Sequence, residues 1–195
     1  FYLAQSYFDA QQWEKSREAY RKRVELGGWN EEVFYSQFRV GLIAGVLQEP
    51  LEVIVKELIE AYNIRPLRAE PLVEISRLYR LNDKAGAAFV FARLAADIPY
   101  PSEDILFLSE DVYQFGALDE VGATAYYAGR PHEGYDACLK LMNENRVPPD
   151  HLERVAQNVA QYEQVLGHIK TQQMQSNMND QVNKLVERKK EKESL

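Results

Sequence analysis

Apolar residues recur along this chain at alternating intervals of three and four, in stretches a few turns long separated by short polar or glycine-containing breaks. That spacing gathers them on one face of an α-helix, so the chain reads as a succession of amphipathic helices. The clearest case runs from Arg65 to Pro99. Leu72, Ile75, Ser76 and Tyr79 pattern a first helix, Ala88, Phe91, Ala92 and Ala95 a second, and Leu81-Asn82-Asp83 stands between them. Small residues on facing positions let two helices cross closely while aromatics fill the groove beside them. The same layout predicts helix pairs over about residues 1–28, 29–66, 67–99 and 116–148. Gly27-Gly28 and Gly129-Arg130-Pro131 supply turns, Pro50 stands where it can open a helix, and Asn30 is a candidate N-cap. A closing helix is expected over 150–170, with Asp150 as candidate cap and one stripe of Leu152, Val155, Val159, Tyr162, Leu166 and Ile169. Residues 171–195 keep only Met174, Met178, Val182, Leu185 and Val186, and read as a polar helical extension or a linker.

In the numbering of a thirty-four-residue helical repeat, Ala4, Gly41, Ser76 and Gly122 all take the small eighth position. This is the tetratricopeptide pattern. It predicts an all-α, right-handed superhelical solenoid of antiparallel helix pairs with a C-terminal closing helix. The intervals between those small positions are 37, 35 and 46 residues. The last is about eleven residues too long for a repeat, which marks an insertion at 98–117. Because it carries Tyr100, Ile105, Leu106, Phe107, Leu108, Val112, Tyr113 and Phe115, the insertion is expected to be ordered and to pack on the stack, as a buttress or as a partner-binding lid.

Charge and composition narrow the function. With 30 acidic and 23 basic residues the formal charge is -7, which disfavours nucleic acid and anionic membrane as partners. No apolar run is long enough to span a bilayer. The single cysteine, Cys138, falls at an apolar repeat position and reads as a core residue in a reducing, cytoplasmic setting. The chain starts at Phe1, already inside a helical pattern, so it reads as a piece of something longer.

Three elements go beyond a generic repeat: Gly27-Gly28-Trp29 with Phe34-Tyr35-Ser36, the stretch Arg68-Ala69-Glu70-Pro71, and Tyr100-Pro101 leading to Asp111-Val112-Tyr113. In these, over about residues 1–160, the chain resembles the tetratricopeptide region that follows the catalytic domain in a group of family-2 glycosyltransferases. The resemblance implies a GT-A domain elsewhere that binds a nucleotide sugar and a divalent metal through Asp-x-Asp. This chain has no Asp-x-Asp. On that reading it is a non-catalytic accessory module for acceptor or partner binding and assembly; the alternative is a stand-alone adaptor that binds a peptide or protein in its groove.

The residues themselves offer little chemistry. His132, His151 and His168 have no His or Cys partner at ligand spacing, and no phosphate loop or nucleophile elbow is present. The acidic doublets Glu103-Asp104, Glu110-Asp111 and Asp119-Glu120 are explained by solvated charge and helix capping. No metal, cofactor or catalytic residue is therefore expected within this chain, and whether the parent protein is an enzyme stays open. The site expected is the concave face, lined by the first helix of each pair. Tyr35, Phe38, Glu70, Arg77, Arg80, Asp119, Tyr126 and Tyr127 are its candidate partner-binding residues, with Gln5, Phe8, Asp9, Leu42 and Ala123 around them. Aromatics beside arginines suit a peptide or a glycan acceptor. The competing reading is that Arg77 and Arg80 pair with Glu70 and Glu74 and that Tyr126 merely packs.

Overall fold

The computed structural model describes residues 1–193, with side chains through residue 180. Among them are nine α-helices and no strand: α1 Tyr2–Asp9, α2 Trp13–Leu26, α3 Asn30–Val46, α4 Leu51–Ile64, α5 Glu70–Leu81, α6 Ala85–Ala96, α7 Ala117–Thr124, α8 Pro131–Asn143 and α9 Leu152–Glu193. A π-helical turn, Val112–Gly116, runs directly into α7, and a 3-10 turn, Pro149–His151, into α9. Each helix packs on the next, and α5, α7 and α9 also touch in sequence, which aligns the first helices of successive pairs on one side. The fold is a tetratricopeptide-like solenoid.

The repeat register holds at the level of atoms. A Cβ added to Gly41 would lie 2.7 Å from Leu58 Cδ2, and one added to Gly122 would lie 2.5 Å from Cys138 Sγ. Both glycines therefore sit where the two helices of a pair cross, and a side chain there would force them apart. Ser16 makes the equivalent contact polar, donating its hydroxyl to the Ala4 carbonyl at 2.8 Å. Seven positions after each small residue the backbone turns left-handed: Gln11, Gln48, Asp83 and Gly129 follow Ala4, Gly41, Ser76 and Gly122. The turn inside each pair thus has one geometry, although three of the four residues are not glycine.

The core is a row of clusters rather than one mass. Ala4, Tyr20, Val40 and Ile43 fill the first; Ala44, Leu58, Leu72, Ile75 and Ala117 are in the second. Phe89, Ala92, Val121 and Ala125 belong to a third, and Cys138, Leu141, Val155 and Tyr162 to a fourth. Each fully buried Leu or Ile contributes roughly 1.5–3 kcal/mol. Burial pushes the Cys138 thiol up to about 11, in keeping with its expected place in the core.

Two local expectations change. Asn30 is the first residue of α3 rather than its cap, and Trp29 precedes it. Asp150 lies inside the 3-10 turn and makes no capping hydrogen bond there. The closing helix passes residue 170 without a break, and what ends near there is burial: Ile169 is half-buried, whereas residues 171–180 are all exposed. The side chains of Val182, Leu185 and Val186 lie outside the described residues.

Candidate functional site

Two parts of the inner face differ, and the insertion makes the difference. After α6 the chain turns back as a strap, Asp97 to Asp111, and reaches the first two helix pairs before returning to α7. Charge holds it in place. Arg68, 1 % exposed, has its guanidinium carbon 4.6 Å from the centre of the Phe34 ring and donates to Glu70 at 2.7 Å, to Asp104, and to the carbonyls of Leu106 and Phe107 at 3.3 and 3.1 Å. Arg65 forks onto the same Asp104 carboxylate. From α3, Glu31 accepts the backbone N–H groups of Ile105 and Leu106 at 2.8 and 2.7 Å. On the return, Tyr113 donates to Glu70 at 2.8 Å while its oxygen accepts the Ala69 N–H at 3.1 Å. Every buried charge here has partners, the condition under which burying it is tolerable. The Arg65 and Arg68 guanidiniums hold the Asp104 carboxyl below its ordinary value, and burial raises the Tyr113 phenol.

The apolar packing expected of the strap is only partly present. Val112 and Tyr113 join the second core cluster and Phe115 the fourth, and Phe107 covers Tyr35 with ring centroids 4.7 Å apart. Ile105 nevertheless stays 78 % exposed, and Phe107 and Tyr100 are about half exposed. The buttress rests on ion pairs between residues far apart in the chain, so the apolar content of 98–117 exaggerated its burial.

That arrangement decides the fate of the candidate residues at the N-terminal end. Tyr35 does face inward, but under Phe107. Phe38 stacks on Phe34 and packs against the second cluster, so it is a core residue more than a groove residue. Glu70 is 3 % exposed with its carboxylate taken by Arg68 and Tyr113, which removes it from any docking surface. Arg77 pairs with Glu74 at the surface, as the competing reading held. Arg80 is paired too, but with Glu120 on α7 at 2.7 and 2.9 Å rather than with Glu70.

At the C-terminal end the face is open. A cleft of about 610 Å³ lies between the end of α5, α7 and α9, and it gathers Arg80, Asp119, Ala123, Tyr126 and Tyr127 from the expected set. It also takes in Asp83, His151, Arg154, Asn158 and Gln161. None of its lining residues comes from the strap. Tyr127 is 70 % exposed, and its ring meets that of Tyr126 edge-on at 5.1 Å. Arg154 forks onto Asp119 at 3.0 and 2.9 Å; burial raises the Asp119 carboxyl, and Arg154 pulls it the other way. His151 stacks on Phe115 at 5.2 Å. Beneath the two tyrosines, the Tyr162 hydroxyl accepts the Tyr126 N–H at 3.0 Å and donates to the Gly122 carbonyl at 2.8 Å. Tyr162 can enter because Gly134 has no side chain in its path. The end of α7, and with it the tyrosine pair, is thereby pinned by α9.

The contribution of α9 was invisible in the pattern. Arg154, Asn158 and Gln161 repeat at helical spacing, but polar residues on the back of an apolar stripe look like any solvated face. Among the described residues no group of acidic, His and Cys side chains is arranged to hold a metal, and no helix is long and apolar enough to cross a membrane.

No known family pattern matches this chain, and no curated protein does. Among solved structures, the nearly identical TPR-like repeats assigned to a kinesin light chain of Podospora anserina superpose with a TM-score of 0.52. The two chains are 16% identical, and the alignment covers 88% of this one and 87% of the other. At that identity the likeness speaks to the fold, a tetratricopeptide-like stack.

Proposed function

We propose that this chain is a non-catalytic interaction module that takes a peptide segment of a protein partner in the cleft between α5, α7 and α9. The observation that carries this reading is the open tyrosine pair. Tyr126 and Tyr127 stand at the edge of a cleft whose two arginines are already paired with Glu120 and Asp119, so the tyrosines present apolar area that nothing else in the described chain covers. Aromatic surface held rigidly beside polar groups is what a hot spot for a peptide side chain requires. Binding in a reducing, cytoplasmic compartment suits a chain whose one cysteine is buried.

The finer reading is that the module belongs to a family-2 glycosyltransferase and serves acceptor or partner binding beside its catalytic domain. It is supported by where the three distinctive elements meet: Tyr35 under Phe107, Arg68 on Phe34, and Glu70 on Tyr113 form one cluster that anchors the strap. A glycan acceptor would use the same tyrosines with Asn158 and Gln161 as hydrogen-bonding edges. The stand-alone adaptor is the competing architecture. A random peptide display selection and a glycan array, both run on wild type and on Tyr127→Ala, separate these. Peptide capture that Tyr127→Ala abolishes supports the peptide groove; glycan capture with the same sensitivity transfers the cleft to an acceptor. Binding indifferent to Tyr127 removes the cleft from consideration.

A further inference from the structure

The side chains of twelve arginines are described, and eleven of them lie within ion-pair distance of a carboxylate. Arg39 on α3 is the exception among the described residues. Its guanidinium carbon sits 3.5 Å from the centre of the Phe8 ring on α1 and 5.5 Å from that of Tyr35, and its Nε atom is buried without a hydrogen-bond partner. The Tyr20 hydroxyl, buried beside it, has no partner either, and burial raises that phenol to about 12 against the pull of Arg39. Asp9 is close enough to be felt by Tyr20 and Tyr35 but forms no ion pair with Arg39.

An aromatic ring against a guanidinium satisfies its face and leaves the edge, where the N–H donors point, free to take a planar two-oxygen acceptor. Arg39 lies on the same helix as Tyr35, one turn farther along, below the place where Phe107 closes the inner face. We propose that Arg39, backed by Phe8 and Tyr35, is a second recognition point of the inner face that takes an Asp or Glu carboxylate of the docked peptide. The inference rests on the peptide-groove reading and adds the partner's chemistry to it. Arg39, a single guanidinium outside the arginine ion pairs, matches the single charge of a carboxylate better than a phosphate dianion. The cleft cannot supply this charge itself, because Arg80 and Arg154 are already neutralised by Glu120 and Asp119.

The test is peptide selection from a random display library on the intact chain, in wild-type and Arg39→Gln forms, with thermal melting of both. Expected is an Asp or Glu at one fixed position in wild-type selections and no such preference with Arg39→Gln. The best acidic peptide should bind Arg39→Gln at least about tenfold more weakly. Its Gln analogue should then bind both proteins alike, so that the two changes are not additive. An acidic position that persists in Arg39→Gln, or that never appears while Tyr127→Ala still abolishes capture, overturns the proposal and leaves the groove reading standing. Failure to select any peptide overturns both. A preference for phosphoserine peptides over acidic ones, lost with Arg39→Gln, replaces the carboxylate by phosphate.

Discussion

The two ends of the inner face use the same residue types in opposite ways. Toward the N-terminus, arginines and carboxylates are buried and hold a strap that leaves Ile105 exposed and closes Phe107 over Tyr35. Toward the C-terminus, Arg80–Glu120 and Arg154–Asp119 are partly exposed pairs that span neighbouring helices and frame an open cleft. Buried pairs with complete hydrogen bonding fix geometry; exposed ones leave a surface adjustable and contribute little to stability. A solenoid ordinarily contacts only its nearest neighbours. The strap breaks that rule by tying the first three helix pairs together, so this end should open as a unit, whereas the cleft end is held only by contacts between neighbouring helices, among them Tyr162 on the end of α7.

The largest expected effect tests the brace. Arg68→Ala leaves buried Glu70 without its main partner and Asp104 with Arg65 alone, and should cost about 3–5 kcal/mol in urea unfolding. A loss no greater than that of Arg93→Ala on the outer surface would mean that the strap is ornamental. At the open end, Gly122→Ala should cost about 1–3 kcal/mol, since its Cβ would press on Cys138 Sγ at a helix crossing. An unchanged midpoint would put the repeat register in error. Tyr162→Phe removes a hydroxyl bonded to both Tyr126 and Gly122 and should cost about 1–2 kcal/mol. Its amide-exchange footprint should stay near the end of α7.

Titration should distinguish the two ends as well. Asp104 has a lowered carboxyl in the folded state, chiefly from its hydrogen bond to Arg65. The unfolded chain then binds more protons in the acid range, so the stability this group contributes is complete above about pH 4 and is lost as pH falls through the folded value. Asp119 is raised by burial, so its contribution has the opposite sign and declines as pH rises out of the acid range. Asp104→Asn should flatten the acid loss and Asp119→Asn should steepen it; equal slopes would contradict the assigned environments. The smallest effect is expected from Tyr127→Ala, within about 0.5 kcal/mol of wild type by thermal melting, because its ring is mostly in solvent. A large loss there would make it a structural residue.

How much of this could be read in advance follows from distance along the chain. Helix pairs, their turns, the small crossing residues and the place of the insertion are all local, and Ala4, Gly41, Ser76 and Gly122 announced them because periodicity and side-chain size repeat within a few dozen residues. Four of the eight groove candidates, Arg80, Asp119, Tyr126 and Tyr127, line the open cleft. Arg77 is taken locally, by Glu74 three positions away, whereas the other three failed for tertiary reasons: the strap covers Tyr35, Glu70 is spent on Arg68 and Tyr113, and Phe38 faces the core. Those outcomes depend on partners such as Arg68 and Asp104, 36 positions apart, or Glu31 and Leu106, 75 apart. The sequence by itself determined a tetratricopeptide-like stack with an interruption. Only the tertiary structure decided which stretch of its inner face is open, because a buried charge takes whichever partner the fold brings within hydrogen-bonding reach, and no periodicity encodes that meeting.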